Sequence, residues 1–424
     1  MENLQDATDE YGNDARVLNC RFCNKESHDI VIDLGVQPVC NNMIERQKVN
    51  LMEPFYPLRV HFCPHCYLVQ LDEYASRDDI FSDYTYFSSF SDTWLKHASK
   101  YVDWVTEFQG LNENSLAVEL ASNDGYLLRN FVAKGIPVLG IEPADTVANA
   151  AMKNNIRTLI KFFGVETAKE VREEYGPADV IIGNNVLAHV PDLNDFVGGQ
   201  KVLLGDKGII TIEFPHLKCL IEKNQFDTIY HAHFSYYSLI AVENVYKHHG
   251  LRIFDVHRLE THGGSLRIIA CHDNNADRPT TQNVLDLRKE ELEAGMAEMG
   301  YYRDFRQNVQ KVRADVLDFF ALARKEGKTV VGYGAPGKGN TMLNYCGIRP
   351  EDMPYTVDRS PAKAGKLTPG MRIPVYPPAK IAETKPDYVF ILPWNLKEEI
   401  AEQMSHIREW GGKFVVPIPE LTIF

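Results

Sequence analysis

Short apolar runs alternate with amphipathic stretches through the central part of the chain. Each run has the length of a buried strand, and the segments between the runs are long enough for helices. This alternation predicts an α/β fold with a parallel sheet wrapped by helices, and ligands beyond the carboxyl ends of its strands. The clearest runs are Leu116-Ala-Val-Glu-Leu120, Val138-Leu-Gly-Ile-Glu142, Val180-Ile-Ile-Gly183 and Gly208-Ile-Ile-Thr-Ile-Glu213.

The C-terminal part predicts a second, smaller α/β unit. A long helical pattern ending near Gly327 precedes four strand-like runs. The apolar helix positions are Phe305, Val309, Val312, Val316 and Phe320, and the strands are Thr329-Val-Val-Gly-Tyr333, Tyr355-Thr-Val-Asp358, Tyr388-Val-Phe-Ile-Leu392 and Lys413-Phe-Val-Val-Pro417. We predict three domains, over residues 1–75, 76–290 and 291–424.

Composition limits the partners that this chain can have. With 44% hydrophobic and 24% charged residues it has the make-up of a globular protein, and its net charge of -13 argues against nucleic-acid binding. No run approaches the roughly 20 apolar residues of a membrane span, and the first six residues are acidic, unlike a secretory signal. We expect a cytoplasmic protein without a membrane or nucleic-acid partner. Its oligomeric state stays open.

Four of the eight cysteines form two Cys-x-x-Cys pairs, separated by 39 residues. Cys20 and Cys23 make one pair, and Cys63 and Cys66 make the other. Four thiolates close a tetrahedral site, so we predict a structural Zn²⁺ that folds the first domain without activating water. Three histidines rank behind the cysteines as alternative ligands: His28, His61 and His65. A zinc finger that binds nucleic acid would need a stripe of basic residues, which this region lacks.

A candidate cofactor loop follows the first strand of the second domain. It begins at Glu119, leads into a helical run at Tyr126, and resembles an acidic-x-Gly-x-Gly-x-Gly pattern. Ala121 and Asn123 occupy the first two glycine positions and Gly125 the third. Small residues and residues that tolerate left-handed backbone let a ligand approach the main chain closely.

Two further segments bear on which cofactor this loop binds. Glu142 ends the next strand 17 residues after Gly125, close to the spacing at which an acid bonds ribose hydroxyls, so NAD is a rival. The loop lacks the glycine trio that a pyrophosphate requires, which favours S-adenosylmethionine (SAM). Asn184 and Asn185, after a later strand, fit the methionine end of that cofactor.

Taken together, the motifs resemble the sugar C-methyltransferases that act on nucleotide-linked 4-keto-deoxysugars. The matching segments run through nearly the whole chain in order. Besides the cysteine pairs and the cofactor loop they are Asp33-Leu-Gly-x-Gln-Pro38, Cys66-x-Leu-Val-Gln70, Tyr86-Phe-Ser-Ser89, Asn185-Val-Leu-Ala-His189, Glu213-x-Pro215, Gln225-Phe-Asp-Thr-Ile-Tyr230, His262-Gly-Gly-Ser-Leu-Arg267 and Gly332-x-Gly-Ala-x-x-Lys338-Gly.

The resemblance implies a zinc-binding module, a central Rossmann-like SAM-binding domain and a C-terminal Rossmann-like domain that helps to hold the nucleotide sugar. The implied reaction moves the SAM methyl group to a sugar carbon beside the 4-keto group, most often C3, in branched-sugar biosynthesis. The nucleotide, thymidine or guanosine diphosphate, stays open.

The resemblance also implies the catalytic residues, in the segment Tyr230-His-Ala-His233. His233 is the expected base, and Tyr230 and His189 are candidates for stabilising the enolate oxygen. If the segment forms a turn, Tyr230 and His233 share a face; if it is a strand, His231 shares a face with His233 and becomes the rival.

Ala232 departs from the family's usual Tyr-His-Glu-His. A carboxylate there would orient an imidazole, which alanine cannot do. Either another group orients the histidine, or the chain is a catalytically impaired variant that binds SAM and the sugar nucleotide. We expect Ala232→Glu to raise turnover. O- or N-methylation, which needs no enolate, is the alternative activity.

Two more groups of residues are predicted to contact ligands. A segment with Tyr84, Tyr86, Phe87 and Ser88 is either a flap over SAM and sugar or simple packing at a domain hinge. Candidates for substrate binding in the later motifs are Arg267 beside its glycine pair, and Lys338, Gly339 and Asn340 at a predicted helix start that favours phosphate. The residue after Lys338 is glycine and not Ser or Thr, which disfavours an ATP-hydrolysing P-loop.

Overall fold

The computed structural model describes residues 18–74 and 87–424. The described chain contains helices and four sheets, two small ones at its N-terminal end and two larger ones after them, which confirms the α/β class. The α-helices are Asp92–Gln109, Leu128–Val132, Asp145–Lys153, Val165–Tyr175, Leu193–Leu203, Leu217–Glu222, Leu239–His248, Gln282–Glu293, Phe305–Lys325, Gly337–Cys346, Lys380–Thr384 and Lys397–Gln403. Among them, no helix combines the length and apolar character that crossing a bilayer requires.

The N-terminal region is a β-module built around the two cysteine pairs. Its first two strands form a ribbon, and the next three belong to an antiparallel sheet. The strands are β1 Leu18–Asn19, β2 Glu26–Ser27, β3 Asp29–Pro38, β4 Phe55–Phe62 and β5 Val69–Leu71.

The central sheet has the order β12-β13-β10-β9-β6-β7-β8, and only β13 runs antiparallel to its neighbours. Its strands are β6 Ala117–Leu120, β7 Val138–Ile141, β8 Thr158–Leu159, β9 Ala178–Asn184, β10 Leu204–Pro215, β12 Leu251–Leu259 and β13 Ser265–His272, while β11 Ser235–Tyr236 lies outside it. Strands β7 and β8 follow on one side of β6, and the chain then crosses to β9 on the other side of β6 and continues away from it. The crevice for a ligand therefore lies at the carboxyl ends of β6 and β9.

The C-terminal sheet has the order β16-β15-β14-β17-β18-β19, parallel except for β19. Its strands are β14 Val330–Tyr333, β15 Thr356–Val357, β16 Val375–Tyr376, β17 Tyr388–Ile391, β18 Lys413–Val416 and β19 Thr422–Ile423. The apolar positions predicted for the helix Phe305–Lys325 are all buried. Here the ligand position is between β14 and β17.

The N-terminal sheet joins the other two parts of the molecule. Leu58 and Phe62 of β4 share one apolar cluster with Phe305 of the C-terminal part, whereas Cys20 shares another with Leu239 of the central part. Strand β11 pairs with β5, with Ser235 opposite Gln70. The segment that leads into β11 is thus fixed between the N-terminal sheet and the central domain.

Candidate active site and zinc centre

The thiols of both Cys-x-x-Cys pairs converge on one point, with all four Sγ atoms within 4.8 Å of one another. The two pairs use the same turn. The amide of Asn24 donates to the carbonyl of Cys20, and the amide of Tyr67 donates to that of Cys63, each at 2.8 Å. Asn24 and Tyr67 both have left-handed backbone, with φ of 56° and 66°. This repeated turn aims two thiols from each pair at a shared centre.

The chemistry of this donor set fits zinc. The four sulfurs would complete a tetrahedral Zn²⁺ site without an open position, so the ion would stabilise the fold and take no part in bond making. Among the described residues no histidine joins the group, which sets aside the alternative ligands His28, His61 and His65. The ligands would be Cys20, Cys23, Cys63 and Cys66.

The cofactor loop adopts left-handed backbone at alternate residues. Ala121, Asn123 and Gly125 have φ of 55°, 52° and 76°. These are the three positions aligned with glycines, so the pattern reflects a conformational requirement that Asn and Gly meet easily and Ala meets at a cost. The amide of Ser88 donates to Oδ1 of Asn123 at 2.9 Å, which holds the segment of Ser88 and Ser89 against the loop.

Acidic and amide side chains line the crevice between β6 and β9. Glu142 accepts hydrogen bonds from the amides of Asn123 and Ala144, both at 2.9 Å, and so fixes the loop. Burial, with nearby Asp124 and Glu142, raises the pKa of Glu119 well above its ordinary value. Tyr126 contacts Glu119 and Asn184.

Several buried polar atoms at this crevice have no partner in the described structure: Glu119 Oε2, Asp124 Oδ1, Asn184 Nδ2 and Asn185 Oδ1. Buried polar atoms in proteins are almost always hydrogen-bonded. The hydroxyls, amine and carboxylate of SAM supply the donors and acceptors that these atoms lack, so the residues present fit the cofactor. Phe87, on the segment that Ser88 anchors, is half-buried beside the loop. Tyr84 and Tyr86 lie outside the described residues.

Tyr230 and His233 meet across a turn. The amide of His233 donates to the carbonyl of Tyr230 at 2.8 Å, and the tyrosine hydroxyl donates to Nε2 of His233, also at 2.8 Å. Nδ1 of His233 donates to the carbonyl of Thr228 at 2.8 Å. Because a carbonyl only accepts, the proton of the neutral ring is on Nδ1, and Nε2 carries the lone pair. Both side chains are half-buried.

His189 approaches the same imidazole, with ring centres 4.7 Å apart. Its Nδ1 donates to the carbonyl of Ala232 at 2.6 Å, so its Nε2 also lacks a proton in the neutral ring. Burial lowers the pKa of His189 to about 4. Burial, His189 and Lys338 lower the pKa of His233 well below its usual value. Both imidazoles are therefore neutral at pH 7.

His231 and Ala232 point away from this pair. His231 donates through Nε2 to the carbonyl of Pro57 at 3.1 Å, on the N-terminal sheet, so the strand alternative that pairs it with His233 does not apply. Ala232 is 1% exposed and packs against Val39 and Phe234. The carbonyl of Thr228 already orients His233. The reason for expecting Ala232→Glu to raise turnover is therefore removed.

The predicted phosphate loop of the C-terminal domain faces the same site. Nζ of Lys338 donates to Oδ1 of Asn395 at 2.9 Å and lies 4.5 Å from the ring centre of Trp394. The indole of Trp394 donates to Asp227 at 2.7 Å. Burial, partly offset by Lys338, raises the pKa of Asp227 to about 7. Lys338 lies near enough to His233 for its charge to help lower the pKa of that imidazole.

The start of the helix Gly337–Cys346 fits closely between domains. A Cβ on Gly337 would lie 2.9 Å from Sγ of Cys40 and 3.7 Å from the Tyr230 ring, and one on Gly339 would lie 2.8 Å from Leu392. The buried Asn340 donates to the carbonyl of Cys40 at 2.6 Å. Gly339 and Asn340 therefore fix the position of the helix, while the charge of Lys338 acts on His233.

Comparison with known proteins agrees with this geometry. Residues 20–81 match a family described as a zinc binding domain, residues 94–256 a methyltransferase domain, and residues 260–419 a C-methyltransferase C-terminal domain. The chain is 35% identical over 401 residues, 95% of each chain, to the C-methyltransferase NovU from Streptomyces niveus. This chain belongs to the C-methyltransferase family. It is a SAM-dependent methyltransferase with an N-terminal zinc site, and the NAD alternative is set aside.

Solved structures similar to this C-methyltransferase include two methyltransferases. One is an S-adenosylmethionine-dependent methyltransferase from Clostridium acetobutylicum, with 11% identity, coverage of 42% of this chain and 92% of that chain, and a TM-score of 0.34. The other is the magnesium protoporphyrin IX methyltransferase from Synechocystis with bound SAH, with 13% identity, coverage of 42% and 83%, and a TM-score of 0.34.

Arg267 of the C-methyltransferase lies in a buried ion pair. Its guanidinium donates to Glu213 at 2.8 Å, and His97 contacts the same carboxylate oxygen at 2.8 Å. Although burial disfavours its charge, His97 and Arg267 lower the pKa of Glu213. The charge of Arg267 is therefore already paired within the protein, and its predicted role in substrate binding stays a prediction.

Sequence reasoning passed over the ring of His262 in the segment that ends at Arg267. Nε2 of His262 contacts the side-chain amide of Asn185 at 3.0 Å, and burial lowers its pKa to about 4. Its left-handed backbone, with φ of 54°, directs it toward the cofactor crevice. In the sequence, the position of His262 directly before two glycines was the feature that could have indicated a role at the site. Trp394 and Asn395 carried no signal that we can identify.

Proposed function

We propose that this C-methyltransferase methylates C3 of a nucleotide-linked 4-keto-deoxysugar for branched-sugar biosynthesis. The observation that carries the proposal is the hydrogen-bond order from Thr228 through His233 to Tyr230. That order places a proton acceptor and a hydroxyl donor side by side. Both groups are needed to form an enolate.

His233 is the base in this mechanism. Its Nε2 takes the proton from the carbon beside the ketone, while the carbonyl of Thr228 holds the ring in place. The lowered pKa keeps the lone pair available at neutral pH. A diphosphate bound at Lys338 would neutralise one of the charges that lower this pKa, so substrate binding strengthens the base.

Tyr230 is the donor to the enolate oxygen. When the substrate binds, the hydroxyl turns from Nε2 of His233 to the ketone oxygen, which frees the Nε2 lone pair to take the carbon's proton while the hydroxyl stabilises the developing negative charge. A neutral His189 has no proton on Nε2, so it cannot fill that role in this tautomer. We assign His189 to accept a hydrogen bond from a sugar hydroxyl.

The nucleotide diphosphate would bind near Lys338 at the start of the helix Gly337–Cys346, where backbone amides and a cation favour phosphate. Residues around the loop Glu119–Tyr126 would hold SAM, which supplies an electrophilic methyl group when bound. The segment with Phe87 and Ser88 would shield the enolate from water. We place the reaction in the cytoplasm, where reducing conditions keep the zinc ligands as thiols.

The decisive experiment separates enolate formation from methyl transfer. The enzyme is incubated in D₂O without SAM, with 4-keto sugars linked to thymidine or guanosine diphosphate, and deuterium beside the ketone is followed by NMR. We expect exchange at one carbon, loss of that exchange in His233→Gln, and no loss in the control His406→Gln. With SAM present, mass spectrometry and carbon NMR should place the new methyl group on the same carbon.

The alternative activity predicts a different result. Methylation of oxygen or nitrogen requires no enolate, so it would give a methylated product without deuterium exchange. Exchange that persists in His233→Gln would contradict the assigned base. Binding of both ligands with neither exchange nor product would favour a protein that only binds them.

A further inference from the structure

Cys219 lies beside a hydrogen-bonded histidine–glutamate pair that methyl transfer does not use. Nε2 of His216 donates to Oε1 of Glu291 at 2.7 Å, and both side chains are buried. Cys219 lies three residues further along the chain and lines the same cavity as this imidazole, close enough for the two groups to shift each other's pKa. A thiol, an imidazole and a carboxylate in this order are the groups that activate a cysteine nucleophile.

The carboxylate end of this chain is rigid. Oε1 of Glu291 accepts from the amide of Leu239 at 2.8 Å, and Oε2 accepts from the amide of Ile240 at 2.9 Å. Because Nε2 of His216 is bound to this fixed carboxylate, Nδ1 is the nitrogen left for Cys219. The imidazole is therefore held with one nitrogen toward the sulfur.

The pKa shifts of His216 and Cys219 favour a proton on the imidazole nitrogen over a proton on the sulfur. Burial opposes the charged forms of both groups. At His216, the contacts with Cys219 and Glu291 outweigh the effect of burial and raise the pKa. At Cys219, the contact with His216 outweighs the effect of burial and lowers the pKa. The nearby Lys223 acts in the same direction on the thiol, whereas Glu222 opposes it.

The thiol opens into a cavity of about 360 Å³. Cys219 is half-buried, and its Sγ lies 2.5 Å from where a Cβ on Gly264 would be, so this wall admits only glycine. Two cations line the cavity. Nζ of Lys223 donates to the carbonyl of Gly263 at 3.0 Å, and Arg258 pairs with a glutamate at the rim. Arg258 is thus already paired, whereas no carboxylate in the described structure forms an ion pair with Lys223.

We propose that Cys219 is a modification site that forms mixed disulfides with anionic, low-molecular-weight disulfides. The sulfur of Cys219 attacks one sulfur of the reagent, a new S–S bond forms, and the reagent's own S–S bond breaks. The leaving thiolate takes the proton from His216. Cys219 is oxidised, the released thiol is the reduced product, and Lys223 attracts the carboxylates of the reagent.

The other cysteines outside the zinc site are internal controls. Burial raises the pKa of Cys40 and of Cys346 to about 12. Burial also raises the pKa of Cys271. These thiols should stay unmodified in the folded protein near neutral pH, because the thiolate is the reactive form.

The test uses the folded, zinc-loaded protein and requires no methyl transfer, so it is independent of the proposed reaction. Iodoacetamide labelling is followed by peptide mass spectrometry between pH 5 and 10, with the guanidinium-unfolded chain as reference. We expect the labelling midpoint of Cys219 to lie below the roughly 8.5 of an ordinary thiol. A midpoint at or above that value, or preferential labelling of Cys271, overturns the proposal.

A second measurement tests the anion preference. We expect glutathione disulfide to modify Cys219 faster than the neutral bis(2-hydroxyethyl) disulfide does, and Lys223→Gln to remove most of that difference. Cys219→Ser should abolish the adduct. Equal rates with the two reagents in the wild type, or an adduct that survives in Cys219→Ser, contradicts the assigned site.

Discussion

Replacing Tyr230 with phenylalanine removes one hydroxyl and little else. The ring contact with His233, at 4.0 Å between centres, can persist, and Thr228 still orients the imidazole. In the free enzyme the change deletes one hydrogen bond, which costs about 1 kcal/mol of stability. In the transition state it deletes a donor to the enolate oxygen, which costs about 3 to 4 kcal/mol, or roughly 10² to 10³ in kcat. The two effects differ enough to be separated.

The assay compares kcat, KM and deuterium exchange for the wild type and Tyr230→Phe, with unfolding by urea as the measure of stability. The matched control is Tyr246→Phe, because the buried hydroxyl of Tyr246 donates to Gln200 at 2.9 Å, outside the site. We expect both variants to lose similar stability and only Tyr230→Phe to lose turnover and exchange. A kcat within about threefold of the wild type would refute the assignment of Tyr230 as the oxyanion donor, for which the expected loss is at least about 100-fold.

Four further predictions concern zinc, backbone strain, a buried charge and pH. Cys63→Ser should release the zinc and lower the melting temperature, because one of four ligands is lost; metal analysis with unchanged zinc content would contradict the assigned site. Ala121→Gly should raise the free energy of unfolding by about 0.5 to 1 kcal/mol by relieving its left-handed backbone, and a loss of stability in urea melts would show that the strain is absent. Arg267→Met should destabilise the fold by about 3 kcal/mol or more, since a buried carboxylate loses its partner, whereas Arg258→Met, at a half-exposed pair, should cost less than about 1 kcal/mol; equal costs would count against a buried pair. Since the lowered pKa of His233 keeps the base unprotonated as the pH falls through about 6.5, the acid limb of kcat/KM should lie below that value, and a limb at or above it would contradict the assigned base.

Four strands of each larger sheet could be predicted because each is a compact apolar run, as in Val180–Gly183, which falls within β9. Their order could not. Strand β13 enters the sheet between β10 and β12 as an antiparallel neighbour of both, and such pairing depends on contacts between distant segments. No local pattern of residues specifies it.

The site shows the same division between local and long-range information. Spacing alone allowed either a turn or a strand at Tyr230–His233. The structure has the turn, and strand β11 directly after it pairs with the N-terminal sheet, a contact between distant segments that spacing does not reveal. The groups that orient His189 and His233 are main-chain carbonyls, which every residue has. The absence of a carboxylate at Ala232 therefore carried less information than its residue type implied.

The pairing of β5 with β11 constrains how relatives of this enzyme can be recombined. A chimera that takes residues 18–74 from one relative and the rest from another would keep both sets of motifs intact, yet its catalytic turn would rest against a foreign sheet edge. Productive crossovers should exchange residues 18–74 together with residues 228–237. The metal-binding and catalytic segments must then be exchanged together, although they are separated by more than a hundred residues of sequence.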